Sequence, residues 1–224
     1  MRIPLAKYGI REILLFGGLS LVGLGLSIWF ARGWFARGLI PPFVLALGFV
    51  LYFFRDPSRR APTAAGIILS PADGRVVEVA ETVPPSRLLI EPSHKVAIFM
   101  SPLNVHVNRS PCRGRVEAIE HRPGRFYRAD RPEASTENES NAMALADVEG
   151  RPVRLLVRQV AGRLARRIVC GVAEGDRLER GQRIGMIKFG SRAEVYVPVA
   201  SGFEVLVSLG QRVRAGETVL GRFR

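Results

Sequence analysis

The chain has 224 residues, enough for one good-sized domain or a modest domain with an appendage. Its 33 Lys and Arg against 20 Asp and Glu give a formal net charge of +13, carried almost wholly by arginine, since lysine occurs only at Lys7, Lys95 and Lys188. A surplus of this kind suits an anionic lipid surface, where each basic group contributes roughly 1 kcal/mol; nucleic acid competes for it, but no recognised binding motif accompanies the charge, and a genomic bias towards arginine is the other reading.

Residues 13–31 read "ILLFGGLSLVGLGLSIWFA" without a charge, and a second apolar run, "GLIPPFVLALGFVLYFF", ends at Phe54. The first is about the length that crosses a bilayer and the second is slightly short. The opening run is too long for a signal peptide and lacks a small-residue cleavage site before the next charges, so it is expected to stay on the mature chain. Arg2, Lys7 and Arg11 precede it, Arg55, Arg59 and Arg60 follow the second run, and only Arg32 and Arg37 lie between. That bias favours a helical hairpin with both ends cytoplasmic, while Pro41 and Pro42 leave an interfacial or re-entrant segment open. The expected division is a membrane-anchoring segment with its linker over 1–60 and a catalytic domain over 61–224.

From Ile67 onward the sequence is a series of short apolar or alternating runs separated by Gly, Pro and Asp: "GRVVEVA", "KVAIFMSP", "GRVEAIEH", "VRLLVRQVAG", "RIGMIKFG", "AEVYVPVA", "FEVLVSL". This spacing predicts a mainly β domain, a barrel or sandwich. One short helix fits "ESNAMALAD" at 139–147. "SPADGRVVEV" from Ser70 returns as "SPCRGRVEAI" from Ser110, with a looser copy in "VPVASGFEVLV", and "EGDRLERGQRIG" from Glu174 returns as "LGQRVRAGETVLG" from Leu209. Paired repeats of this kind resemble the quasi-symmetric hairpins of lipoyl- and biotinyl-type hammerhead domains. Cys112 and Cys170 have neither metal-ligand spacing nor a pairing pattern; they fit structural thiols in a reducing cytoplasm, and no metal is expected.

Three short stretches carry chemistry. The Gly-Ser pair of "KFGSR" interrupts what otherwise reads as strand, which marks a turn, a bulge or a place of close backbone approach, or else a serine placed beside an accessible peptide bond. Asp73 lies in "SPADGRV", where the second copy of the repeat has Arg113, so the turn itself does not need the carboxylate. His106 lies in "SPLNVHVNRSP". A serine, an imidazole and a carboxylate are the parts that activate a hydroxyl, with the histidine taking the proton.

Taken in order, "FFRDPSRR", "SPADGRV", "IFMSPLNVHVNRSP", "PGRF", "NESNA" and "FGSR" resemble the short form of phosphatidylserine decarboxylase, including its archaetidylserine decarboxylase-like members, over nearly the whole chain from Phe53. The resemblance implies a pyruvoyl enzyme made as a zymogen. Ser191 Oγ attacks the carbonyl of Gly190, the chain is cut between Gly190 and Ser191, and Ser191 becomes a covalent pyruvoyl group. That group takes the amine of the serine head group as a Schiff base and accepts the electron pair left by CO2, so the product is phosphatidylethanolamine and no dissociable cofactor is required. His106 and Asp73 are implied as the other catalytic residues, and Arg109, Asn104 and Asn108 as substrate contacts. Larger members have a second histidine where this chain has Arg109, and "NESN" departs from the usual arginine before its last Asn. Implied partners are a phospholipid substrate, an anionic membrane surface, each cleavage product for the other, and a homodimer; nucleic acid is not among them. A catalytic domain on the cytoplasmic side of the cell membrane follows. The rival readings are a carrier domain modified on Lys188 in "MIKFG" and a membrane-anchored lipoyl-like adaptor, although the coiled-coil hairpin such an adaptor needs is absent from the sequence.

Overall fold

The computed structural model describes residues 4–30, 34–163, 167–188 and 190–224, the side chains of 34–37 excepted. Arg2, Arg32 and Phe189, and the side chain of Arg37, on which parts of the charge and motif readings fall, lie outside the described residues. The chain divides into two compact units, 1–58 and 59–224.

In the first unit a helical run, α1 (Lys7–Trp29), is long and apolar enough to cross a membrane, and it packs against α2 (Trp34–Phe53), which runs on through Pro41 and Pro42. Leucine, valine and isoleucine face outward on α1, with Leu14, Leu19, Val22 and Trp29 all more than half exposed. Two buried hydroxyls satisfy themselves inside the helix: Ser20 Oγ donates to Phe16 O and Ser27 Oγ to Gly23 O, both at 2.8 Å. A helix apolar on its outer face with its polar groups internally bonded suits lipid better than water.

The second unit is mainly β, as the spacing of its runs predicts. Eight strands form the main sheet, in the order β13 (Arg212–Val213), β2 (Gly74–Thr82), β3 (Ser93–Met100), β11 (Ser191–Pro198), β7 (Leu155–Val160), β6 (Ser140–Ala146), β5 (Gly114–Arg122) and β9 (Arg177–Leu178). Two three-stranded sheets complete it: β1 (Ile67–Leu69), β14 (Val219–Phe223) and β12 (Phe203–Val205), and β4 (Val107–Arg109), β10 (Arg183–Ile187) and β8 (Ile168–Cys170). The core between them is aliphatic, built on Ile68, Val76, Ile98, Val116, Leu145, Val157, Ile184, Val195 and Leu220.

The repeats in the sequence are repeats in space. Ser70 Oγ donates to Ala72 O and Ser110 Oγ to Cys112 O; Gly216 N–H donates to Ser70 O and Gly181 N–H to Ser110 O. Both long strands carry a bulge at the same place, between Val76 and Glu78 in β2 and between Val116 and Ala118 in β5. The shared glycines have one reason in common: a Cβ on Gly74 would stand 2.1 Å from Phe99 O, and one on Gly114 would stand 2.9 Å from Ala146 O.

Two expectations need correction. The helix expected in "ESNAMALAD" is strand β6, with one helical turn, α3 (Ala134–Glu137), just before it and a 3-10 turn, Val148–Gly150, just after. Alanine and methionine are good helix formers, but β6 lies between β5 and β7 and is buried along almost its whole length, so tertiary pairing overrides propensity. The sequence places Arg59 among the basic groups that follow the apolar runs and so suggests a basic surface there. The Arg59 guanidinium, only 9% exposed, is instead paired with Asp73 at 2.7 Å and Glu217 at 3.0 Å.

Candidate active site

Gly190 and Ser191 sit at a crossover. β10 belongs to one of the small sheets and β11 to the centre of the large one, so the glycine is neither a hairpin turn nor a bulge but the joint at which the chain changes sheets. Gly190 takes the left-handed conformation, φ +70°, which a residue with a side chain enters only under strain. Ser191 follows at once as the first residue of β11, fully buried and paired with Met100 of β3, and its Oγ lies 3.3 Å from Met100 Sδ.

His106, also fully buried, reaches the same joint from the opposite side. The loop before it is closed by Asn104, whose Oδ1 accepts hydrogen bonds from Ser101 N and Oγ, both at 2.8 Å. The carbonyl of Asn104 lies 2.9 Å from His106 Nδ1, and since a carbonyl can only accept, Nδ1 carries the proton. Nε2 is therefore the acceptor, and it receives the Gly190 N–H at 3.4 Å. An acceptor nitrogen of the histidine thus lies against the backbone of Gly190, the residue that precedes Ser191.

The other expected residues are placed as follows. Asp73 has both oxygens engaged: Oδ2 takes the Arg59 guanidinium and Oδ1 accepts Ala215 N–H at 2.8 Å. The ring of His106 is oriented by the Asn104 carbonyl, so Asn104 bears on the site through its backbone. Asn108 is buried; its Oδ1 accepts from Gln159 Nε2 at 2.9 Å, and its Nδ2 lies 3.7 Å from the same Met100 sulfur that faces Ser191. Gln159 in turn accepts from Asn141 Nδ2 at 3.3 Å, which makes a row of buried amides beneath the serine. Arg109, 5% exposed, donates Nη1 to Gly181 O at 2.9 Å. Lys188 is also 5% exposed, the reverse of what a carrier domain needs of a lysine that a ligase must reach.

Behind β11 lies an ionic cluster. Glu194, fully buried, accepts from Arg158 Nη1, Arg192 Nε and Tyr196 OH at 2.7, 2.7 and 2.8 Å. Arg192 continues to Glu78, which Lys95 also meets at 2.8 Å. Burial pushes the Glu194 carboxyl up, but Arg158, Arg192 and Lys95 together hold it below the ordinary carboxylate range. Burial alone dominates at Cys112, whose thiol is pushed far up and is therefore unreactive.

The family model for phosphatidylserine decarboxylase matches residues 46–221, a span that holds Asp73, His106 and the Gly190–Ser191 joint. The chain belongs to the phosphatidylserine decarboxylase family. Among its relatives, a phosphatidylserine decarboxylase proenzyme of Cereibacter sphaeroides is 44% identical over 97% of this chain and 89% of its own length. Proenzymes of the same name from Rhodopirellula baltica and Salinibacter ruber are 40% and 48% identical, over 99% and 88% of this chain and 89% and 86% of theirs. The weaker motifs of the decarboxylase resemblance have visible work here. In "PGRF", a Cβ on Gly124 would stand 2.5 Å from three backbone atoms of residues 137–139, so the segment lies flush against them. In "NESN", Asn138 joins that segment to the end of β7: its Nδ2 donates to Tyr127 O at 2.9 Å and to Ala161 O at 2.7 Å, and its Oδ1 accepts Tyr127 N–H at 2.8 Å. Met100 lies within "IFMSPLNVHVNRSP" but is not marked there as a site residue; the pairing of β3 with β11 sets it opposite Ser191, the pairing of β7 with β11 brings in Gln159, and Gly162 follows β7 to lie against Gly190 O.

Proposed function

We propose that the chain is a proenzyme that cuts itself between Gly190 and Ser191 and then, as a carboxy-lyase of its family, decarboxylates phosphatidylserine to phosphatidylethanolamine. The observation that carries the cutting is the joint itself: a left-handed glycine, a buried serine as the next residue, and a neutral imidazole whose acceptor nitrogen faces the glycine.

His106 Nε2 takes the proton of Ser191 Oγ as that oxygen attacks the Gly190 carbonyl carbon. The C–N bond of the peptide breaks, nitrogen gains a proton, and an ester replaces the amide. Loss of the Ser191 Cα proton with cleavage of the Cβ–Oγ bond then frees Gly190 as a carboxylate and leaves a dehydroalanine, from which water displaces ammonia to give the pyruvoyl group. The cradle fits this group: position 191 opens a buried strand, beside the Met100 thioether that the Asn108 amide also faces. Once present, the pyruvoyl carbonyl supplies the electron sink that loss of CO2 requires. Asn108 and Arg109 are the groups of this chain assigned to orient the substrate, with Asn104 holding the imidazole. Asp73 supports the site from a distance, tying Arg59 to the turn before β14.

We further read the paired repeats as a hammerhead-type barrel, α1 and α2 as a membrane hairpin, and the catalytic unit as cytoplasmic. Its partners are the phospholipid, an anionic membrane surface, the two cleavage products for one another, and a second copy of the chain. Denaturing intact-mass measurement tests the central claim. Two chains are expected, 1–190 and 191–224, the shorter one closed to N-terminal sequencing. A single uncut chain with full decarboxylase activity would overturn it.

A further inference from the structure

The oxygen of the peptide bond to be cut lies against a glycine that the cutting reaction does not otherwise use. A Cβ built on Gly162 would stand 2.2 Å from Gly190 O and 3.1 Å from Gly190 C. Real contacts of a Cβ stay beyond 3.0 Å, so any side chain at 162 must drive the Gly190 carbonyl from its place. Gly162 is not among the residues with positive φ, so its backbone conformation does not call for glycine. What calls for it is the close approach of this one carbonyl. The space cannot be recovered by moving Gly162 away. Ala161 N–H donates to Glu139 O at 2.9 Å, Ala161 O accepts from Asn138 at 2.7 Å, and Ala129 Cβ closes the other side at 3.2 Å from the same imagined Cβ.

We propose that Gly162 seats the Gly190 carbonyl for attack by Ser191, and that Asn138, through Ala161 O, is the positioning residue that holds Gly162 there. The proposal rests on the self-cleavage reading and assigns it two residues. It also gives the "NESN" motif a function: its first asparagine fixes the wall against which the reacting carbonyl lies. Gly162→Ala must open a 2.2 Å approach to at least 3.0 Å, and displacement of a reacting group by about 1 Å costs roughly 100-fold in rate.

The experiment follows the first-order cutting of freshly synthesised full-length chain by gel and intact mass, with melting temperature measured separately in a Ser191→Ala background that stays uncut. Gly162→Ala is expected to cut at least about 100-fold more slowly than wild type, at an unchanged melting temperature. Asn138→Asp keeps the acceptor for Tyr127 N–H and loses the donor to Ala161 O; it is expected to cut about tenfold more slowly. Added hydroxylamine reports the step, because it splits an accumulated ester into a Gly190 hydroxamate and a free N-terminal serine. It should not restore cutting in Gly162→Ala, since the ester does not form. Cutting of Gly162→Ala within threefold of wild type, or its full rescue by hydroxylamine, overturns the proposal while leaving self-cleavage standing. If Gly162→Ala does not fold, Asn138→Asp decides alone: slower cutting at normal stability supports the proposal and a wild-type rate overturns it. An uncut wild-type chain would overturn self-cleavage itself, and this inference with it.

Discussion

His106 receives its direction from a backbone carbonyl. Asn104 O fixes the proton on Nδ1, so the tautomer is set by the loop over residues 101–104. Asp73 has other work, in a pair with Arg59 whose two side chains are 13% and 9% exposed. The two residues should therefore fail in different ways. His106→Ala is expected to slow self-cleavage by three to four orders of magnitude with little change in stability, since it removes the base and leaves the packing. Asp73→Asn is expected to lower unfolding free energy by about 1–2 kcal/mol, because it leaves the largely buried Arg59 guanidinium with Glu217 as its remaining carboxylate, and to slow cleavage far less. Denaturant unfolding beside a cleavage time course separates them. An Asp73→Asn chain of normal stability that cuts as slowly as His106→Ala would restore the carboxylate to the reaction. Of these residues, Ser191 and His106 could be picked out in the sequence by type and motif. The acid could not be resolved there, because an aspartate before a glycine reads the same whether it orients a histidine or anchors an arginine.

Strand β11 serves two faces at once. One presents Ser191, Ala193, Val195 and Val197 towards the core, and the other presents Arg192, Glu194 and Tyr196 to the buried ionic cluster. The cluster ties β11 to Arg158 on β7 and, through Arg192 and Lys95, to Glu78 on β2, so it holds in register the strand that opens with Ser191. Glu194→Gln leaves Arg158, Arg192 and Lys95 with one carboxylate among them and is expected to cost about 3–5 kcal/mol in denaturant unfolding. The same cluster predicts acid sensitivity. Glu194 in the cluster, and Glu149 away from it beside Arg180 and Arg113, are each raised by burial but brought, on balance, below their ordinary value of 4.5 by the basic groups around them. Their contribution to stability is therefore whole above about pH 4.5 and is lost as pH falls below it. Unfolding followed from pH 7 to pH 3 should show that loss, and a flat profile across this window would contradict it. Alternation in "AEVYVPVA" reveals β11 as a strand in the sequence. That its outer face is charged and still buried is invisible there, since the covering segments come from residues far away in the chain.

At the scale of the whole molecule, the boundary between the units decides how the chain can be divided. Ile67 reads as the start of the β domain, yet Arg59 is paired with Asp73 and Glu217, and Arg180 donates to Pro62 O and Ala64 O. A chain beginning at Arg59 is expected to fold and cut itself, whereas one beginning at Ile67 should be less stable by a few kcal/mol, having lost those buried partners. The longer truncation product should act on a short-chain soluble substrate but poorly on vesicles. Full-length protein should act well on vesicles containing anionic lipid, with salt weakening only the electrostatic share. Equal vesicle activity with and without residues 1–58 would show that the apolar helices do not deliver the substrate.

Sequence alone determined what depends on residue type and short-range order: two apolar runs, a β domain built on paired repeats, and a Gly-Ser joint in the setting of a decarboxylase proenzyme. These are local facts, since the polarity of a run, the turn chemistry of a glycine and the spacing of a motif are all written in neighbouring residues. Tertiary structure decided the rest. It made "NAMALA" a central strand, withdrew Arg59 from the surface, gave the histidine a carbonyl as its orienting partner, and laid Gly162 and Asn138 against the joint. Each of these depends on which strands lie side by side. Pairing is a property of the assembled sheet, in which residues dozens of positions apart come within a bond length or two of one another.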